Sequence, residues 1–183
     1  ALGSNPVFTG SGIIRVMPEG TMLNSTTYNV AGTTEWACPE GVTSIQVECW
    51  GGGGAGGSSS STGAAGVYVA GGGAAGGAYA RKSMVPVTPG NTYTVTIAPA
   101  AVALDPSIAT TGDRVDGADI SFTGDNGVSV LAKGGQGGQC VINPAATQGG
   151  IGGVGSTTGC ISDGSGYVFA GGTGYFPPTK GGS

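Results

Sequence analysis

"CWGGGGAGGSSSSTGAAGVYVAGGGAAGG", residues 49–77, places 13 glycines in 29 positions, and the use the chain makes of them decides the fold. Glycine gives up more backbone freedom on folding than any other residue. A chain with 41 glycines in 183 residues must therefore recover that entropy through burial or backbone pairing. Disordered chains combine low hydrophobicity with high charge. Here 38% of residues are hydrophobic and only 9% are charged, so the composition is that of a folded, close-packed protein. A flexible linker is the competing reading, and "GGSSSSTG" fits one. Against it, Val67-Tyr68-Val69, Cys140-Val141-Ile142 and Val168-Phe169 interrupt the tracts with apolar pieces that a solvated linker would not keep. They read as anchors.

The glycines can be tested for a period. In "GGQGGQCVINPAATQGGIGGVG", residues 134–155, all nine glycines fall in two of the three registers of a three-residue repeat. Between residues 49 and 77 the 13 glycines split 6, 3 and 4 across the registers, a weaker bias. A period of three is what a polyproline II type helix presents, and glycine lets several such helices lie side by side and pair their backbones. Collagen is excluded, because no long run has glycine at every third position and prolines number only 10.

Outward from the tract, strands follow. In "GVTSIQVECW", Ile45, Val47 and Cys49 alternate with Gln46 and Glu48, the period of two of a half-buried strand. "GAYARKSMVPVTPGNTYTVTIA" reads as two strands joined by turn chemistry at Pro89-Gly90-Asn91, with Tyr93, Val95 and Ile97 alternating with threonines. Residues 119–122, 128–132 and 167–170 are further strand candidates. Helical spacing is not sustained over three turns anywhere. The expected fold is all-β: a β-sandwich-like domain over residues 34–183 with glycine-rich loops or packed polyglycine II helices. Residues 1–33 carry short apolar pieces cut by Gly, Pro and Ser and read as an extended connector. Ala1 in place of Met reads as a processed or excised start.

Chemistry is scarce. With no histidine, Ser-His-Asp and Cys-His catalysis are ruled out, and zinc loses its commonest partner. Asp105, Asp113, Asp116, Asp119 and Asp125 mostly abut Gly, Pro or Asn and read as turn formers; their spacing misses the EF-hand loop. "GGGGAGG" lacks the Lys-Ser/Thr ending of a phosphate loop. No enzyme, cofactor or metal is expected. Six Lys and Arg against ten Asp and Glu make no basic patch for nucleic acid, and no apolar stretch is long enough to span a membrane as a helix. Cys38, Cys49, Cys140 and Cys160 show no metal-ligand spacing; disulfides 38–49 or 140–160 and buried free thiols both stay open.

Trp36 and Trp50 flank the first clear strand and read as core. Tyr68, Tyr167, Phe169, Tyr175 and Phe176 lie in or beside glycine tracts and read either as further core aromatics or as contact residues displayed by loops.

The order "CPEGVTSIQVECWGGGGAGG", "GGGAAGGAYARKSMVPVTPGNTYTVTIA", "GDNGVSVLAKGGQGG", over residues 34–138, resembles the glycine-rich domain of bacteriophage tail fibre and receptor-binding proteins, and "NPVFTGS" is similar to short repeats of fibre shafts. The resemblance implies stacked polyglycine II helices, a place in the virion on a tail fibre or other appendage, contacts with other virion proteins, a homotrimer, and attachment to a bacterial surface receptor, either a glycan or an outer-membrane protein. A purely structural virion protein, a capsid decoration or fibre cap, is the alternative. An ice-binding face is a third reading, for which "TTG" supplies ordered threonines only sporadically. Departures from the family pattern at "SSSSTGAAGVYVA" and in the last glycine tract prevent the contact surface from being carried over.

Overall fold

A computed structural model describes residues 12–18, 25–58, 69–105, 112–142, 152–162 and 168–169. Its strands are β1 (Ile13–Pro18), β2 (Thr26–Tyr28), β3 (Gly32–Ala37), β4 (Ser44–Trp50), β5 (Val69–Gly71), β6 (Tyr79–Pro86), β7 (Thr92–Ile97), β8 (Ile120–Thr123), β9 (Ser129–Ala132), β10 (Cys140–Ile142) and β11 (Val168–Phe169). The fold is all-β, and the described residues form three antiparallel sheets ordered β11-β6-β4-β1-β2, β3-β7-β8-β9 and β10-β5.

The two larger sheets form the sandwich. From one, Ile14, Val16, Ile45, Val47, Cys49, Ala80 and Val85 point inward; from the other come Trp36, Tyr93, Val95, Ile97, Ile120, Phe122, Val130 and Ala132. Strict alternation in β4 and β7 produces this, because successive side chains of a strand leave opposite faces. Tyr93 and Phe122 stack with centroids 5.6 Å apart, and Trp36 tilts against both at 5.7 and 6.1 Å. The Tyr93 hydroxyl accepts the Thr88 N–H at 2.9 Å, so this ring is satisfied at its polar end.

Two features go beyond the sequence reading. Pro89-Gly90-Asn91 does turn the chain, with Gly90 at φ 80° and Asn91 N–H donating to Thr88 O, but it makes no hairpin. It hands the chain from one sheet to the other, since β6 pairs with β4 and β7 with β3. Second, the stretch read as a connector enters the sandwich: β1 lies between β4 and β2, with six residues in register with β4, and Ile14 and Val16 are 0% and 1% exposed. "IIRV" is too short for its own pattern to reveal a strand; β4 supplies the edge that makes it one.

The glycine tracts continue the sandwich strands. β4 and β9 run out of one end into residues 51–58 and 133–139, while residues 71–78 and 112–118 run back towards β6 and β8.

Candidate functional site

These four segments are rods joined by backbone hydrogen bonds at steps of three residues. The N–H groups of Gly51, Gly54 and Gly57 donate to the carbonyls of Ala78, Ala75 and Gly72 at 2.7–3.0 Å. Those of Gly72, Ala75 and Ala78 donate onward to Gln139, Gln136 and Lys133 at 2.8–2.9 Å. Gly52 and Ala55 reach Ala118 and Val115, and receive Gly135 and Gly138. Successive residues of the first rod therefore address different neighbours, as a helix with three residues per turn requires. Backbone groups that a linker would leave to water are paired inside the protein.

Close approach explains the glycines. A Cβ built on Gly51, Gly54 or Gly57 would fall within 3 Å of the carbonyls of Lys133, Gln136 and Gln139, again at steps of three. On Gly53 and Gly56 it would meet nothing nearer than 3.7 Å. Glycine is thus compulsory on the face turned to another rod and dispensable on the open one.

Aspartates close the lattice where a carbonyl is missing. Asp116 Oδ1 accepts the Gly137 N–H at 2.9 Å and Asp119 Oδ1 the Gly134 N–H at 3.0 Å, while Asp113 uses its backbone carbonyl to accept from Cys140. Arg114 Nε lies 3.0 Å from Asp116, and Lys133 Nζ pairs with Asp119. The three-residue spacing of Asp113, Asp116 and Asp119 was the sequence signal, although the sequence reading made these residues turn formers. Asp116→Ala and Asp119→Ala should each cost about 1 kcal/mol, the net value of one partly exposed hydrogen bond. Urea denaturation of the two variants measures it.

At the end of the rods away from the sandwich, Ser58 Oγ–H donates to Leu104 O. A shallow notch there is lined by Ser58, Leu104, Asp113, Arg114 and Cys140. The Val69–Ile142 pairing of β5 with β10 and the Gly112 N–H bond to Cys140 O lie at this same end. Of the aromatic contact candidates, Tyr68, Tyr167, Tyr175 and Phe176 lie outside the described residues. Phe169 is in β11, its backbone in register with Tyr79.

A second constellation was missed by the sequence reading. The outward face of the five-stranded sheet carries Trp50 opposite Tyr79, and beside this pair Arg15, Glu48 and Arg81 in register across β1, β4 and β6. Trp50, read as core, stands here half-buried, because it continues the outward register of Gln46 and Glu48. Its ring centroid is 5.0 Å from that of Tyr79 and 5.8 Å from the Arg15 guanidinium. Glu48 accepts the Tyr79 hydroxyl at 3.0 Å and Gln46 Nε2 at 3.2 Å, and its other oxygen is 3.7 Å from Arg15; Arg81 donates to Gln46 Oε1 at 2.5 Å.

Burial first, then the hydrogen bond to Glu48 and its charge, push the Tyr79 phenol up to about 12, against the opposing pull of Arg81 and Arg15. A group whose folded pKa is raised favours folding below its unfolded pKa, here 10.0, and loses that contribution as pH climbs towards about 12. Glu48→Gln should lower the Tyr79 pKa and move the loss to lower pH. Phenolate absorbance during an alkaline titration reads the shift directly.

The four cysteines are free thiols. Cys38 Sγ–H donates to Val42 O near the start of β4, whereas Cys49 is near its end. Cys160 Sγ accepts from Lys133 N–H where the last rod begins, seven residues before Cys140, or roughly 20 Å along a three-residue helix. Neither pair can bridge. Burial pushes the thiols of Cys38, Cys49 and Cys140 up, which makes them poor nucleophiles. Among the described residues no group of His, Cys, Asp or Glu could hold a metal ion.

Comparison with known proteins finds no match among curated proteins or solved structures. A family model described as a glycine-rich domain matches residues 26–183. That span takes in all four rods and every strand after β1, and the chain belongs to the glycine-rich domain family.

Proposed function

We propose that the chain is a non-catalytic attachment domain of a bacteriophage fibre or similar virion appendage, binding a receptor on the bacterial surface. The observation that carries this reading is the interlocked rod bundle. Four segments paired through their backbones, three of them glycine-rich, make a stiff strut whose far end carries the notch at Ser58, Leu104 and Arg114. Connections held on a rigid scaffold can vary in sequence without disturbing it, which is how recognition surfaces are commonly built. The phage assignment rests on the sequence resemblance in "CWGGGGAGG", "GGAYARK" and "AKGGQGG". A homotrimer belongs to the same reading, since fibres are commonly symmetric oligomers.

The test is adhesion. Purified protein should bind susceptible bacteria, saturate, and reduce infection when added before phage. A protein that neither adheres nor competes would leave a purely structural role in the virion.

A further inference from the structure

We propose that the outward face of the five-stranded sheet binds an anionic saccharide, with the sugar ring against Trp50 and Tyr79 and its carboxylate on Arg15. The proposal deepens the attachment reading, on which it rests, by naming a receptor class and a surface on the sandwich itself.

Two cross-strand rows make up the surface. The first holds Trp50 and Tyr79 with tilted rings, and the Phe169 backbone lies next in register beyond Tyr79. Aromatic faces are electron-rich and apolar, and they attract the positively polarised C–H edges of another ring while burying its area. The second row is Arg15, Glu48 and Arg81, two residues along each strand, or roughly 7 Å away. A ring lying on the first row therefore has its substituents over the second.

The charge seen by such a ligand is positive. Two guanidinium groups flank one carboxylate, in a chain of net charge -4 that has only six Lys and Arg. Exposure sharpens the imbalance: the Arg15 side chain is 44% exposed and that of Glu48 only 13%. Glu48 is largely covered on this face and occupied by Tyr79 and Gln46, so it acts as a positioning residue. Arg15, 3.7 Å from Glu48 and 5.8 Å from the Trp50 centroid, is exposed enough to form a charge-assisted pair with an incoming carboxylate. The opposite outer face of the sandwich makes the contrast. Among the described residues its strands present Thr33, Glu35, Thr94, Thr96, Ser121, Thr123 and Leu131, none of them aromatic.

Calorimetric titration of the whole chain with an oligogalacturonate, and with the same oligosaccharide fully methyl-esterified, tests the proposal. The acid should bind about tenfold more tightly than the ester, the scale of one charge-assisted contact. Arg15→Gln should abolish that difference while leaving ester binding intact. Trp50→Ala should weaken both by about tenfold or more. Arg15→Gln alone decides if Trp50→Ala melts early. Absence of binding to the acid, or wild-type binding by a folded Arg15→Gln protein, overturns the proposal. Binding that emerges only after removal of residues 170–183 overturns it too, because the chain's own C-terminal stretch would then be the occupant of the face. Adhesion to bacteria without oligosaccharide binding would sink this inference and leave the attachment reading standing.

Discussion

Gly54→Ala should destabilise the protein by about 3 kcal/mol, while Gly53→Ala, one residue away, should leave stability unchanged or raise it by about 0.5 kcal/mol. The added methyl at residue 54 would sit against the backbone of Gln136 and Gly137, with contacts of 2.5 Å and 2.6 Å to their C and N atoms. Backbone cannot rotate aside as a flexible side chain can. The two rods must separate, which strains the neighbouring bond from Gly54 N–H to Ala75 O at 3.0 Å. At residue 53 the methyl finds Ala75 O at 3.7 Å, an ordinary contact, and alanine lowers the entropy of the unfolded chain. For a chain of this length the larger loss corresponds to a fall in melting temperature of about 10 °C. Thermal melts of the pair give the answer; equal losses at both positions would mean that the rods do not interlock in three-residue steps.

Ile14→Ala should lose about 3 kcal/mol, the cost of a cavity in a core that cannot fully collapse. Ile14 is wholly buried on β1 and packs into the cluster that contains Val47, Cys49 and Ile120. Val30→Ala, in the same N-terminal stretch but 62% exposed, should change stability by less than about 0.5 kcal/mol. A protein cut before residue 26, where the family match begins, would leave β4 without one of its two neighbours and strip Ile14 and Val16 from the core. Such a fragment should fail to give a cooperative melt. Retention of full stability by Ile14→Ala would instead return residues 1–33 to the status of a connector.

Much of the sandwich was legible because its strands carry their own evidence. Ile45, Val47 and Cys49 in β4, Tyr93, Val95 and Ile97 in β7, and the short runs that became β8 and β9 alternate over a few residues, a pattern set by strand geometry before any partner is chosen. The candidate site was less legible. Trp50 passed for core because its size suggests burial, yet the alternation that places Cys49 inward sends its neighbour outward. Arg15, Glu48 and Arg81 come from three strands with no local signal that they meet. Only the register of β1 and β6 on β4 aligns them.

The sequence by itself determined that the described part of this chain is built from strands and not α-helices, that histidine chemistry is closed to it, and that its glycines must be paired or buried to be tolerated. These follow from composition and short-range periodicity, which are properties of the chain alone. Tertiary structure decided which glycines are compulsory, since the contact that excludes a Cβ at Gly51, Gly54 and Gly57 is with residues some eighty positions later. It also decided that "IIRV" is a strand, that the turn at Gly90 crosses between sheets, and that the cysteines stay apart. Each of these depends on a distant partner, and no local propensity can announce a neighbour that the chain meets only once it has folded.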